Sequence, residues 1–376
     1  MGALAEILRR HGPAYRARFG DDMPWDQLRA MRAIERCRTP ALGGQRWECP
    51  GCAHAHWALH SCGNRHCPAC GGDDAQAWLR RQEALLLPVR YHLSTFTVPE
   101  ELRGAIRSHP REGLAILYAA SSSALLDACA NPRWFGARPG VTGVLHTNTR
   151  ALIYHPHVHY IVTGGGLAPD GTWREPDRKF LVPVGVLSKL FRNRFRDALR
   201  QRLPEVFASI PAQTWTRYWM VHSKPVGDGK NALRYLSRYI YRVAIADSAI
   251  DAHDGGTVAF RYRNSDTKKV CRPVLPVMEF IRRFLQHVLP SGFVKVRHYG
   301  LHHPSRKSML SLVRAMLCLR KGIPLPSAPE PEEPLPPPLC PRCAIPMEPR
   351  ERTWRPLPAA ALSPLMACAR GPPPAS

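Results

Sequence analysis

The sequence predicts an α+β protein: an antiparallel sheet covered on one face by helices, preceded by a small cysteine-rich domain. Three observations support this fold class. Between residues 91 and 243, segments that alternate apolar and polar residues are interspersed with segments of helical period, in the order β-α-β-β-α-β-α. Half of the twelve cysteines fall between residues 37 and 70, where little apolar material is available for a core. Three histidines alternate along one of the predicted strands.

The elements follow from periodicity and from the placement of β-branched and aromatic residues. The predicted strands cover residues 91–98, 141–147, 155–163 and 215–221, and the predicted helices cover 111–129, 186–203 and 231–243. The chain then divides into a helical segment (1–36), a cysteine-rich domain (37–90), a core of strands and helices (91–250), a basic part (251–322) and a tail (323–376). The tail holds 17 of the 38 prolines, so we expect it to be disordered or extended.

Charge and composition narrow the class of partner. The chain has 53 Lys and Arg against 29 Asp and Glu, a net charge of +24, which favours a polyanion such as DNA. No apolar run is long enough for a membrane span, and the N-terminus lacks the pattern of a secretion signal. We therefore expect a cytoplasmic protein whose cysteines are thiols or metal ligands, with no membrane partner.

The cysteines predict structural zinc. Cys49, Cys52, Cys67 and Cys70 form two C-x2-C pairs, and zinc prefers four such ligands in a tetrahedron. Cys37, Cys62 and His66 could contribute to a second zinc site, or His66 and Cys62 could shape the loop or contact DNA. The pair Cys340 and Cys343 is followed only by Cys368, so we expect no complete site near the C-terminus.

The alternating histidines predict a second kind of metal site. Side chains at alternate positions of a strand share one face, so His155, His157 and His159 point the same way. Imidazole is a common ligand for divalent metals. We prefer His157 and His159 as ligands, with His155 as a candidate third ligand and His146, on the preceding strand, as another. The competing interpretation is three half-buried structural histidines.

Two tyrosines on the last predicted helix are candidate nucleophiles. Tyr235 and Tyr239 are four residues apart and so share one helix face, whereas Tyr241 lies off it and is assigned to packing or substrate contact. Arginines suited to holding phosphates surround them, namely Arg234, Arg238 and Arg242. A tyrosine oxygen that attacks a phosphodiester would leave a 5′-phosphotyrosine and a free 3′ hydroxyl, and Mg²⁺ or Mn²⁺ would assist as a Lewis acid.

Several blocks in a fixed order resemble the insertion sequence 91 family of bacterial transposases. They are RCRTPALGG from Arg36, NRHCPAC from Asn64, HPHVHYIVTGGG from His155, RYLSRY from Arg234 and FIRRFLQHVLPSGFVKVRHYG from Phe280. The family consists of two-tyrosine HUH endonucleases, where U is a hydrophobic residue. The resemblance covers about residues 1 to 320.

The resemblance implies an N-terminal zinc-binding domain, followed along the chain by a nuclease domain with a ferredoxin-like or RRM-like sheet. It implies rolling-circle transposition through single-stranded DNA, with Mg²⁺ or Mn²⁺ at the catalytic site. Matched by residue, the HUH histidines are His157 and His159 and the tyrosines are Tyr235 and Tyr239, with Lys224 near phosphate.

Other functions remain open at this stage. A replication initiator or relaxase would use the same metal and tyrosine chemistry. A catalytically inactive, zinc-dependent DNA-binding relative would bind DNA without forming a covalent adduct. A zinc hydrolase would need a carboxylate base, and residues 140–169 contain no acidic residue.

Overall fold

The structure is a computed structural model that describes residues 2–70, 72–176, 181–240, 244–264, 267–326 and 336–358, apart from the side chains of 72–74 and 238–240. The helices are α1 Ala3–Phe19, α2 Trp25–Arg36, α3 Gly72–Glu83, α4 Glu101–Ser108, α5 Pro110–Ala130, α6 Val184–Arg202, α7 Pro204–Ala208, α8 Lys230–Ile240, α9 Val277–Leu285 and α10 Lys307–Lys321. The strands are β1 Gly44–Glu48, β2 Ala55–Leu59, β3 Tyr91–Thr97, β4 Arg138–Asn148, β5 Tyr154–Leu167, β6 Trp173–Arg174, β7 Val221–Pro225, β8 Ile250–His253, β9 Thr257–Phe260, β10 Tyr262–Arg263, β11 Val270–Cys271, β12 Val274–Pro276, β13 Val296–Gly300 and β14 Glu348–Thr353.

An antiparallel sheet forms the centre of the molecule, as the sequence predicts. Its strand order is β13-β4-β5-β3-β7, and the short β6 pairs with one end of β5. Strands β4 and β5 form a hairpin in which Leu145 lies opposite Val158 and His146 lies opposite His157. Because residues opposite one another share a face, this register determines which side chains meet above the sheet.

One face of the sheet carries the largest apolar core. Helices α5 and α6 cover it and pack on Phe96, Val158 and Tyr160. The rings of Phe191 and Trp219 extend this core, and their centroids lie 5.1 Å apart in an edge-on arrangement. Removal of each such side chain from water contributes roughly 1.5–3 kcal/mol to the stability of the folded state. Helix α5 is long and apolar enough to cross a membrane by length and composition, but 67% of that stretch is buried inside the protein.

The opposite face is also covered, which corrects the prediction of helices on one face only. Helices α3, α8 and α10 pack there against Val144 and Ile161. Leu233 and Leu236 of α8 are buried in this contact. The sheet is therefore apolar on both faces along most of its length. The ferredoxin-like arrangement that the resemblance implies stays a prediction.

The predicted strand at 215–221 is wrong in position. The strand begins only at Val221, because the residues before it pack against α6 instead of entering the sheet. The backbone N–H and C=O of Trp219 both bond to the Ser188 hydroxyl, at 3.0 and 2.7 Å. The Trp219 indole donates to the Thr214 carbonyl at 2.8 Å. With its polar groups used in this way, Trp219 serves as a core residue.

The N-terminal helices share a second core with α9. Leu4 and Ile7 of α1 and Ile34 of α2 are buried together with Phe280 and Phe284. Residues from the predicted helical segment and from the predicted basic part thus pack on each other. The division of the chain into five domains stays a prediction.

Part of the tail is ordered, contrary to the expectation of a disordered or extended segment. Strand β14 pairs with β1, which pairs in turn with β2, and Leu339 bridges to Pro346 before it. Proline does not prevent this because β14 is an edge strand, and Pro349 faces Trp47 near an irregularity in the ladder. Residues 327–335 and 359–376 of the tail, with Cys368, lie outside the described residues.

Candidate active site and metal centres

Three histidines converge at one end of the sheet. His157 and His159 come from β5 and His146 from β4, and one ligand atom of each lies within 4.8 Å of the others. We call His146, His157 and His159 the histidine triad. His146 is buried, and the other two are partly buried. This arrangement confirms that His157 and His159 are neighbours and adds the third member from the adjacent strand.

His155 is not a member of this cluster, and His146 takes the place that was expected of it as a candidate third ligand. Residues four apart in a strand are separated by about 13 Å, which is too far for His155 and His159 to share one ion. The residue opposite His157 on β4 is much closer, and that residue is His146. His155 instead uses its backbone carbonyl, which accepts a hydrogen bond from Nδ1 of His157 at 2.6 Å.

The surroundings of the triad orient its rings and keep them uncharged. With Nδ1 of His157 engaged as a donor, its Nε2 carries the lone pair that can bind a metal. Nδ1 of His159 lies 2.8 Å from the hydroxyl of Thr95, the residue opposite it on β3. Burial lowers the pKa of His157 to about 4 and that of His159 to about 3. Burial also holds the pKa of His146 well below its usual range. Three neutral imidazoles, two of them oriented by hydrogen bonds, suit a divalent cation.

The tyrosine helix lies on the same face of the sheet as the triad. Ile161 and Val144, on which α8 packs, share the face of His159 because one lies two residues along β5 and the other lies opposite it on β4. Tyr235 is 39% exposed on α8. Tyr239 follows one turn later on the same helix, and its side chain lies outside the described residues.

The predicted phosphate-binding residues are described only in part. Lys224 is exposed on β7 opposite Leu93, which places it on the face of the sheet that carries the triad. Arg234 is exposed, and its Nε lies 3.7 Å from a carboxylate oxygen of Glu83. The side chain of Arg238 and all of Arg242 lie outside the described residues.

The cysteines form two separate clusters, whose members differ from those of the predicted zinc site and the possible second site. Cys37, Cys62, Cys67 and Cys70 form the first cluster, with the sulfurs of Cys37 and Cys70 3.4 Å apart. Cys49 and Cys52 belong instead to a second cluster with Cys340 and Cys343. In that cluster the Cys49 and Cys343 sulfurs are 3.3 Å apart, and those of Cys52 and Cys340 are 3.6 Å apart.

Both clusters fit zinc, since each offers four sulfur ligands and no open coordination position. The prediction that Cys49, Cys52, Cys67 and Cys70 share one ion was therefore wrong, as was the expectation that Cys340 and Cys343 remain incomplete. Sequence spacing favoured the nearest pairs, but the ordered tail returns Cys340 and Cys343 to the N-terminal hairpin. The C-P-x-C pattern did not reveal this pairing, because CPAC from Cys67 and CPRC from Cys340 match CPGC equally well.

His66 is not a zinc ligand, which corrects that part of the second-site prediction. Its Nε2 accepts a hydrogen bond from the backbone N–H of Leu289 at 3.1 Å. Its Nδ1 lies 3.1 Å from the Asn64 side-chain oxygen. Burial lowers the pKa of His66 to about 3, so the ring is a neutral link between the first cysteine cluster and the segment after α9.

Comparison with known families identifies the class to which this fold and these sites belong. A family model described as "Transposase zinc-binding domain" matches residues 7–98, and one described as "Putative transposase" matches residues 140–309. The first match contains six of the eight clustered cysteines, and the second contains the histidine triad and α8. The chain is a transposase with an N-terminal zinc-binding domain.

Relatives narrow this class to one family. The chain is 38% identical over 346 residues to "Putative transposase y4qJ" of Sinorhizobium fredii (strain NBRC 101917 / NGR234), with 86% of each chain covered. It is 28% identical over 338 residues to "Transposase for insertion sequence element IS801" of Pseudomonas savastanoi pv. phaseolicola, with 79% of each covered. The chain belongs to the insertion sequence 91 family, as the sequence motifs predict.

Solved structures offer only distant similarity. Two structures of the conjugative relaxase TrwC in complex with oriT DNA, one metal-bound and one metal-free, share 13% identity with this chain at a TM-score of 0.24. They cover 40% and 62% of this chain and 71% and 73% of the relaxase chain. Structural similarity this low supports no conclusion about the site.

Proposed function

We propose that this transposase nicks and rejoins single-stranded DNA at the ends of its element through a covalent 5′-phosphotyrosine. The observation that supports this most is the histidine triad at one end of the sheet face on which the tyrosine helix packs. His146, His157 and His159 would hold Mg²⁺ or Mn²⁺ there. When bound, the ion polarises the scissile phosphate and stabilises charge on the leaving oxygen.

The protein's own groups would position and transfer the reacting atoms. The phenolic oxygen of Tyr235 or Tyr239 attacks phosphorus and loses its proton, a tyrosine O–P bond forms, and the P–O3′ bond breaks. The 3′ oxygen leaves with the electron pair and takes up a proton. Rejoining runs the same exchange in reverse with another 3′ hydroxyl. No phosphate bond is lost to water, so no external energy source is needed.

Charged residues near this face would hold the substrate. Lys224 would pair with a phosphate oxygen as a point charge, and Arg234, Arg238 and Arg242 would contact phosphates on either side of the scissile one. Thr95 acts as a positioning residue because its hydroxyl lies against Nδ1 of His159. The recognised ends would be single strands or hairpins, in the cytoplasm and at the nucleoid.

The alternatives use the same groups differently. A replication initiator or relaxase would apply this chemistry to a plasmid origin, and the two transposase family models make that interpretation the weaker one. A catalytically inactive relative would keep the two cysteine clusters and bind DNA without cutting it. These alternatives differ in whether a covalent adduct forms and on which DNA.

A covalent-adduct assay tests the proposal. The full chain is incubated with labelled single-stranded DNA from the flanks of its own gene and Mn²⁺, then with EDTA in a parallel sample. We expect a slow-migrating, protease-sensitive band that requires the metal, and peptide mapping should place the label on Tyr235 or Tyr239. Each single Tyr→Phe variant should weaken cleavage and leave DNA binding nearly intact.

Two outcomes would reject parts of the proposal. An adduct that persists in the variant with both tyrosines changed to Phe would show that another residue is the nucleophile. Retarded DNA without any covalent band, with the correct end sequence present, would favour the inactive DNA-binding relative.

A further inference from the structure

Three adjoining hollows of about 310, 210 and 380 Å³ lie along one side of the molecule. Arg107, Tyr154 and Gln286 line both the first and the second hollow. Asp26 and Leu289 line both the second and the third. Because neighbouring hollows share lining residues, they lie next to one another, and we call the three together the arginine groove.

The two ends of the arginine groove lie near the two kinds of site described above. The first hollow is lined by Ile153 and Tyr154, which directly precede His155 at the start of the strand that carries the histidine triad. The third hollow is lined by residues 62–66, the loop that contains a cysteine of the first cluster. The groove therefore extends from the zinc-binding domain to the start of β5, three residues before His157.

The charge of the groove fits a polyanion. Six arginines and two carboxylates line it, namely Arg29, Arg65, Arg103, Arg107, Arg282 and Arg283 against Asp26 and Glu100. Four of the arginines line the first hollow, where Glu279 pairs with Arg282 and Arg283, and Arg29 and Arg65 line the third. A row of cations along a groove matches a backbone that carries one phosphate per nucleotide.

Several of these guanidinium groups are held in place and still have donors to offer. Arg65 donates to the Phe293 carbonyl at 2.6 Å, and Arg29 donates to the Ser291 hydroxyl at 3.2 Å. A guanidinium has five N–H donors, so most remain for phosphate oxygens. The buried Nε of Arg103 has no hydrogen-bond partner among the described residues.

The turn between β4 and β5 adds an apolar surface to the groove. Ile153 is 48% exposed there, although it lies between arginines. The preceding Leu152 is fully buried in the left-handed region at φ +60°, a strained conformation for a non-glycine residue. This conformation holds the turn so that Ile153 faces the groove, where an unstacked base offers an apolar face.

We infer that the arginine groove binds the backbone of single-stranded DNA and guides it from the zinc-binding domain to the histidine triad. The inference rests on the proposed function for the identity of the DNA and its cleavage point. A single strand is the favoured occupant because its bases are free to contact Ile153, whereas a duplex keeps its bases stacked inside.

The test is salt-dependent binding, measured by fluorescence anisotropy with a labelled oligothymidylate in a series of NaCl concentrations. In the Arg103→Ala/Arg107→Ala variant, the slope of log K against log salt should become shallower by about 0.7 for each phosphate that the protein no longer neutralises. Arg29→Ala, at the far end, should reduce the slope by about half as much. The matched control is Arg200→Ala/Arg202→Ala on α6, which removes equal charge outside the groove and should leave the slope unchanged.

Arg103→Lys/Arg107→Lys keeps the charges and should restore most of the slope. Thermal unfolding of each variant establishes that the fold is retained. An unchanged slope in Arg103→Ala/Arg107→Ala, or an equal decrease in the α6 control, would overturn the inference. The adduct assay is independent of this result: adduct formation with unchanged slopes would reject the groove alone, and reduced slopes without adduct in the unmodified chain would reject the phosphotyrosine mechanism alone.

Discussion

The contribution of His146 determines what the triad can bind. Two ligands from β5 would leave an ion weakly held, and the third comes from β4 because an antiparallel ladder brings opposite residues close together. The same ladder places Thr95 against His159, so both neighbouring strands orient the ligands of β5. Loss of a residue that orients a ligand ring, without itself binding the metal, typically lowers metal affinity by about 10- to 100-fold.

Replacement of single histidines tests this ligand assignment. We expect His146→Ala to abolish metal-dependent nicking, because it removes one of the three ligands. His155→Ala is the matched control and should retain most of the activity, since it keeps the backbone carbonyl of His155 that accepts the hydrogen bond from His157. Nicking rates over a Mn²⁺ titration provide the measurement. Full activity in His146→Ala together with inactivity of His155→Ala would restore His155 as the third ligand.

At the scale of residues, sequence predicted which histidines of one strand lie together. Alternation along a strand reveals which side chains share a face, and this placed His157 and His159 side by side. The sequence of one strand does not determine its register with the neighbouring strand, so His146 remained one candidate among others. The roles of Tyr235 and Tyr239 stay predictions.

At the scale of elements, β13 shows how a strand can escape prediction. It closes the sheet beside β4, although its sequence VRHYG contains only two residues typical of strands. It is stabilised by contacts that sequence does not display: Nδ1 of His298 and Nδ1 of His302 lie 3.1 and 3.0 Å from the Thr142 hydroxyl. The predicted strand at 91–98 corresponds to β3, because the alternation of residue types in its sequence matches the alternation of buried and partly buried side chains in the sheet.

The buried His302 beside β13 makes stability depend on pH. Burial, followed by the charges of His298 and Arg314, lowers its pKa to about 3, against about 6.5 in the unfolded chain. Between these values the unfolded chain binds a proton that the folded chain does not, so stability falls as the pH falls through this window. One such group contributes about 1.4 kcal/mol per pH unit.

The variant His302→Asn removes this titration and keeps an acceptor for the Thr142 hydroxyl. We expect its free energy of unfolding to decrease less steeply on acidification, by about 1.4 kcal/mol per pH unit. Urea unfolding at several pH values below 6.5 measures the slope. His303→Asn, an exposed neighbour, is the control and should match the unmodified chain. An identical slope in His302→Asn would show that His302 binds its proton without unfolding.

At the scale of the whole molecule, the second cysteine cluster joins the two ends of the described chain. Its ligands are separated by as many as 294 residues, between Cys49 and Cys343. Local spacing rules could not find this pairing, because they compare neighbours, and the proline content of the tail predicted no structure at all. The first cluster was missed in part for the same reason, since Cys37 lies far from Cys67.

Zinc content tests the long-range cluster directly. The unmodified chain should hold two zinc ions, one in each cluster, and Cys340→Ser/Cys343→Ser should hold one. Removal of the ion should free β14, so limited proteolysis should cut the tail more rapidly. Cys271→Ser, which changes a cysteine outside both clusters, is the control and should keep two ions. Two ions in the double variant would show that Cys49 and Cys52 find other ligands.

The order in which the chain is synthesised gives this cluster a further consequence. Cys49 and Cys52 leave the ribosome early, whereas Cys340 and Cys343 follow only after the sheet and α10 have been made. A nascent chain therefore cannot complete the second site, and β1 keeps an unpaired edge until β14 has been made. A copy of the gene that is truncated before Leu339 would encode the histidine triad and the tyrosine helix without the cysteines that complete this cluster.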